Sequence, residues 1–182
     1  KDRPTRVQIA TACRYFISEG LVFKVTTFIL EKQYADFVSQ LIKETFAHNM
    51  LTIGLIREGK VPADNRVALT PVQCRWIMKN HPDIRIIVQP SEKRCFTDAE
   101  YTSNGVEVSG DLSHCNVLVG IKEVPVTDLM PGKTYFFFSH TKKLQPHNRS
   151  LMREIVRKKI TLVDYECLEH EDGQRIIGFG FF

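Results

Sequence analysis

No run of roughly eighteen apolar residues occurs in this sequence, and its longest apolar stretches, such as Tyr135 to Phe138, are of strand length. A membrane-spanning helix is therefore not expected. Cysteine is sparse: Cys13, Cys74, Cys95, Cys115 and Cys167 form an odd set with no C-x-x-C spacing. That argues against a disulfide scaffold and fits reduced, mostly buried thiols in a cytosol-like compartment. An excess of one charge is also missing, since 25 basic residues stand against 21 acidic ones, scattered along the chain, for a net +4. Such a balance speaks against nucleic acid as a partner and leaves anionic small molecules open.

Other absences narrow the chemistry. There is no phosphate loop, no G-x-S-x-G elbow and no internal repeat. His140 and His147 have no third ligand in register, so no metal site is expected. The closing Gly178-Phe179-Gly180 lacks the third glycine and following helix of a dinucleotide fingerprint and reads as structural. The chain opens Lys-Asp-Arg without the apolar core of a secretory signal, so targeting is not readable from it. A cytoplasmic location is the expectation, with a mitochondrial one left open.

What is present is ordinary globular composition: 182 residues, 43% hydrophobic and 25% charged, enough for one real core plus a flanking piece. Residues 1–49 differ in character, with Tyr34, Phe37, Val38, Leu41, Ile42 and Phe46 at amphipathic-helix spacing. Met50 is read as a natural start of the module, which divides the chain into a 1–49 flanking segment and a 50–182 domain.

From residue 51 short β-rich runs alternate with helix signals, the pattern of a mainly parallel sheet with crossover helices. Strands are expected at Thr52 to Ile56, Ile84 to Val88, Val106 to Val108, Asn116 to Ile121, Thr134 to Phe138 and Ile160 to Val163. Thr70-Pro71 launches a helix that stops near His81-Pro82, and Thr97 with Glu100 forms a capping box for a short helix ended by Asn104-Gly105. Pro146 opens another helix, with Leu151, Met152, Ile155 and Val156 toward the sheet and Arg149, Arg153, Arg157 and Lys158 toward water. Asp172-Gly173 turns into a last strand, Arg175 to Phe179, which leaves no room for a partner element, so the chain is read as cut before a further domain.

In an open parallel sheet, ligands collect outside the carboxyl ends of the strands. The residues just past each strand are therefore informative: Arg57-Glu58 and then Arg66, Lys122-Glu123, Ser139-His140, and Asp164-Tyr165-Glu166. The set offers cationic anchors for carboxylates, a lysine and a histidine able to trade protons, and acids able to hold an amine, which suits a zwitterionic amino-acid substrate. Each member also has a plainer reading. A polar residue after a strand is ordinarily a turn or surface group, His140 competes with a neutral core histidine, and Arg66 with a partner of a surface acid. The protonation state of Lys122 is open, because neighbouring acids and burial push it in opposite directions. Convergence of these residues on one rim is what favours a site.

With those residues in view, the stretch from about 52 to 182 resembles the N-terminal domain shared by alanine dehydrogenase, nicotinamide nucleotide transhydrogenase and the saccharopine dehydrogenases. "NRVALTP" (Asn65 to Pro71) is similar to the general signature of that group. "VGIKEVP" (Val119 to Pro125), "KTYFFFSHTKKLQ" (Lys133 to Gln145), "LVDYE" (Leu162 to Glu166) and the closing "GFGFF" resemble the saccharopine-forming lysine reductases in particular. The resemblance implies an α/β, Rossmann-like fold with Lys122 and His140 as the acid/base pair. It implies Glu123 and Glu166 as acids near the substrate and Arg66 at the substrate site, while Arg57 is a further anchor by its place just past the first strand. It implies NAD or NADP as cofactor, bound mainly by a domain outside this chain, with amino-acid and keto-acid substrates as partners. Asp64 departs from the glutamate often found near that arginine, which weakens the carboxylate assignments. The alternatives are an alanine dehydrogenase-type domain and a non-catalytic amino-acid-binding domain.

Overall fold

The computed structural model describes residues 50–62, 64–142, 146–170 and 173–177. The helix expected within 1–49 lies outside them. The described residues fall into two units, one ending at Ile121 and one beginning at Lys122. Among the described residues the named strands pair in parallel within each unit, with helices among the crossovers, so the fold is α/β and Rossmann-like.

In the first unit, β1 (Leu51–Leu55) pairs with β2 (Ile84–Val88) on one side and β4 (Val117–Val119) on the other, and β3 (Glu107–Val108) lies outside β2. The register sets Ile53 beside Ile86 and Val117, so consecutive apolar residues are buried on both faces, as parallel strands require. Gly54 is where neighbours close in: a Cβ there would lie 2.8 Å from Leu118 Cδ2, 2.9 Å from Leu112 Cδ1 and 3.1 Å from Cys115 Sγ. Helix α1 (Pro71–Asn80) starts as the local sequence dictates. Thr70 Oγ1 accepts the Gln73 N–H at 3.3 Å, Gln73 Oε1 accepts the Thr70 N–H at 2.7 Å, and Pro71 needs no N–H partner. Helix α2 (Asp98–Ser103) has the expected Thr97–Glu100 box and ends at Asn104, with Gly105 at φ +77°. Beneath α2, Tyr101 is fully buried, its hydroxyl donates to the Leu69 carbonyl at 2.7 Å, and the Arg94 guanidinium lies 4.5 Å from its ring centre.

The strand expected over Asn116 to Ile121 is shorter than that range. Asn116 exchanges hydrogen bonds with Thr52 through its backbone and side chain, and the Ile121 N–H goes to the Glu58 carboxylate at 2.7 Å, leaving only Val117–Val119 in the ladder.

In the second unit, β5 (Thr134–Phe137) and β6 (Thr161–Asp164) run parallel, joined by a 3-10 turn at Pro146–Asn148 and helix α3 (Arg149–Arg157). Leu151 and Ile155 supply the buried stripe of α3, each worth about 1.5–3 kcal/mol by area removed from water. Met152 is only half-buried and Val156 is 53% exposed, so the expected four-residue inner face is narrower. Lys158, expected toward water, instead sends its ammonium to the Val126 and Leu129 carbonyls at 3.2 and 2.7 Å, satisfying the 3-10 turn at Val126–Asp128. The helix closes with Ile160 N–H on the Ile155 carbonyl and Lys159 N–H on the Val156 carbonyl, Lys159 taking φ +52°. That closure consumes Ile160, so β6 begins one residue later than expected.

The last expected strand, Arg175 to Phe179, is not formed over its described part. Gly173 makes the turn at φ +82°, but only Arg175 pairs, as an isolated antiparallel bridge to Glu169, while Ile176 donates to the Leu168 carbonyl. Residues 178–182 lie outside the described residues.

Candidate functional site

In the second unit the residues after the strands meet through side chains. The C-terminal end of β5 runs into Phe138, Ser139 and His140, and His140 takes φ +52°, a backbone conformation L residues seldom adopt. Its imidazole Nδ1 lies 2.7 Å from Glu123 Oε1, with the ring 33% and the carboxylate side chain 17% exposed. The ring is also supported by Phe138, stacked at 27° with centroids 6.3 Å apart, and Phe138 in turn meets the edge of Tyr165. An ionised carboxylate can only accept, so a neutral ring must carry its proton on Nδ1, leaving the Nε2 lone pair for a base. Two of the expected residues, Glu123 and His140, are thus in direct contact.

Glu166 lies in the 3-10 turn after β6, its side chain 4% exposed, and Oε1 accepts from Arg175 at 2.9 Å. Burying a carboxylate this deep is costly without a partner, and the half-exposed Arg175 supplies one. Lys142 pairs with Glu169, whose hydrogen bond chiefly raises the lysine above its usual range. Lys122 is partly buried one residue before Glu123.

In the first unit Arg66 is exposed and forks onto Asp64, with Nε 2.9 Å from Oδ1 and a second contact to Oδ2. The hydrogen bond to Asp64 raises the guanidinium above its ordinary value, burial opposes this, and the charges of Asp64 and Glu58 add to the rise. The plainer reading of Arg66, as partner of a neighbouring acid, is therefore what the structure displays. Arg57 is exposed just past β1, its backbone N–H donating to Gln89 Oε1 at 3.1 Å.

Two residues near the site, Arg175 and Asn148, escape the sequence reading. Arg175 is expected there as part of a strand, although a basic residue nine positions after Glu166 is the one signal that could pair them. Asn148, whose amide donates to the His140 carbonyl at 3.0 Å, sits just before a helix, where a capping role would hide it. Asp164 accepts from both Ser139 and Glu166.

A dinucleotide cradle does not fit the first unit. The loop from Ile56 to Thr70 replaces a tight glycine-rich turn onto a helix, and the Glu58 carboxylate takes the Ile121 N–H at the end of β4, opposing a pyrophosphate there. Among the described residues no cluster of His, Cys, Asp and Glu could hold a metal ion, and no helix is long and apolar enough to cross a membrane.

Residues 54–181 match the family described as alanine dehydrogenase/PNT, N-terminal domain. The chain is 38% identical over 132 residues to an alpha-aminoadipic semialdehyde synthase of Arabidopsis thaliana, covering 70% of this chain and 12% of that protein. It is 29% identical over 138 residues to a saccharopine dehydrogenase [NAD(+), L-lysine-forming] of Candida glabrata, covering 72% of this chain and 36% of that one. The chain thus spans about an eighth of the first relative and about a third of the second. Among solved structures it resembles an L-alanine dehydrogenase with a TM-score of 0.58 at 20% identity, over 68% of this chain and 35% of that one, a likeness of fold alone.

Proposed function

Because this chain belongs to the alanine dehydrogenase/PNT N-terminal domain family, we propose that it is the substrate-side part of an NAD(P)-dependent saccharopine dehydrogenase of the lysine-ketoglutarate reductase type. The reaction joins the ε-amine of lysine to the keto carbon of 2-oxoglutarate and reduces the resulting imine. The nicotinamide cofactor supplies the hydride and is held outside this chain, in keeping with the poor fit of the β1 loop to a dinucleotide. What the chain's own residues do is move protons and hold charge.

The observation that carries the reading is the Glu123–His140 contact at 2.7 Å. With Nδ1–H donated to Glu123, His140 Nε2 is oriented to take a proton from the attacking amine and return it to the departing hydroxyl of the carbinolamine. Lys122 is the second proton carrier, and Glu166 attracts a cationic amine that shares it with Arg175; on the first unit, taken by itself, Arg66 and Arg57 are the groups able to anchor a carboxylate. At Arg66 a substrate carboxylate has to share or displace Asp64.

The test is initial-rate oxidation of NADH and NADPH by a longer protein containing this chain, given lysine plus 2-oxoglutarate or ammonia plus pyruvate. Turnover with the first pair and its loss in His140→Ala support the reading. Turnover only with the second pair would make this an alanine dehydrogenase and overturn it. The 182-residue chain by itself is expected to show no turnover.

A further inference from the structure

Two of the groups given roles above hang from backbone that something must hold. His140 stands at φ +52°, and Glu166 sits in the middle of a tight turn. One side chain reaches both. Asp164, the last residue of β6 and 5% exposed, accepts the Ser139 N–H at 3.2 Å and the Glu166 N–H at 2.9 Å on one oxygen, and the Ser139 hydroxyl on the other. Ser139 is fully buried and precedes His140; its Oγ also accepts the N–H of Thr141, on the far side of His140, at 3.1 Å. His140 is thus bracketed by Ser139, bonded to that carboxylate, and Thr141, linked to it through Ser139 Oγ, and Asn148 holds its carbonyl.

Capping the turn after β6 requires only the bond to Glu166. The contacts across to Ser139 go beyond a local cap and address the residue beside a strained backbone. We infer that Asp164 is a positioning residue, which by tying Ser139 to Glu166 sets where the His140 imidazole stands relative to Glu123. This rests on the acid/base role proposed for His140.

The inference is tested on the 182-residue chain by nitrogen NMR of the imidazoles near about pH 9, where an ordinary imidazole is neutral. Asp164→Ser keeps a short oxygen able to cap Glu166 but unable to reach Ser139. Asp164→Asn keeps the reach, accepting both amides and donating to Ser139 Oγ. The wild-type chain and Asp164→Asn should show His140 as one tautomer with the proton on Nδ1, and Asp164→Ser a mixture of both tautomers. A wild-type pattern in Asp164→Ser, or a mixture in Asp164→Asn, overturns the inference. Should Asp164→Ser not fold, the Ser139 amide of the wild-type chain decides: exchange slowed about tenfold or more against an unstructured peptide supports the tie, and unprotected exchange refutes it. The readout needs no substrate, so its failure and failure of the turnover assay are separate results.

Discussion

Replacing Glu123 is the sharpest probe of the contact on which the functional reading stands. A hydrogen bond to a charged group contributes about 1.5–3 kcal/mol net, and the partial exposure of both partners, 33% for the imidazole and 17% for the carboxylate, places this one near about 1.5–2 kcal/mol. At 1.36 kcal/mol per factor of ten, Glu123→Ala should lower kcat/KM for lysine plus 2-oxoglutarate by about ten- to thirtyfold. Glu123→Gln retains an acceptor oxygen without its charge and keeps about half of that energy, so its loss should be about three- to fivefold. The fall belongs in kcat, because Glu123 acts through the imidazole, and the KM for each substrate should stay within about twofold. The assay is initial-rate NAD(P)H oxidation by a longer protein containing this chain, with thermal unfolding of each variant as the control for folding. The reasoning is refuted if Glu123→Ala keeps kcat/KM within about twofold of wild type, or if Glu123→Gln falls as far as the alanine variant.

Lys159, exposed and left-handed at the end of α3, should prefer glycine: Lys159→Gly should exceed Lys159→Ala by about 1 kcal/mol, or about 2–4 °C in Tm, since the pair shares the loss of charge and differs in the cost of φ +52°. A Tm for the glycine variant at or below that of the alanine variant would contradict this. Burial pushes the Cys74 thiol up to about 12, so at pH 8 iodoacetamide should modify exposed Cys95 and spare Cys74 until the chain unfolds, as peptide mass mapping can follow. The sign carries over to stability: with the folded value above the ordinary 9.0, the contribution of Cys74 is complete below pH 9 and is lost as pH rises toward about 12, visible as a falling urea midpoint. Tyr101→Phe strands the buried Leu69 carbonyl and should cost about 1–3 kcal/mol in urea unfolding; no change in midpoint would mean that the carbonyl finds another donor.

Features written within four residues of one another are legible in the sequence. Thr70 with Pro71, and Thr97 with Glu100, name their helix starts because each cap is a bond between a side chain and a nearby N–H. Strand ends were less legible, since Asn116 bonds to Thr52 and Ile121 to Glu58, both more than sixty residues away. Lys158 was misassigned for the same reason: helical periodicity puts it on the wet face, while its ammonium goes to carbonyls about thirty residues earlier in the chain. At the site, sequence could nominate His140 and Glu123 individually but could not join them, and it had no access to the left-handed backbone of His140. Arg175 was missed because a β-rich run suggested a ladder, whereas its guanidinium is used on Glu166.

The crowding around Gly54 gives the domain a signature that owes nothing to its chemistry. In a library that varies every position, Gly54 should tolerate larger side chains poorly, because the ends of Leu118 and Leu112 and the Cys115 sulfur would have to move, and the damage should register as lost protein abundance. Position 140 should register chiefly as lost growth or turnover. A map of the two readouts would therefore draw the scaffold and the working groups in different inks.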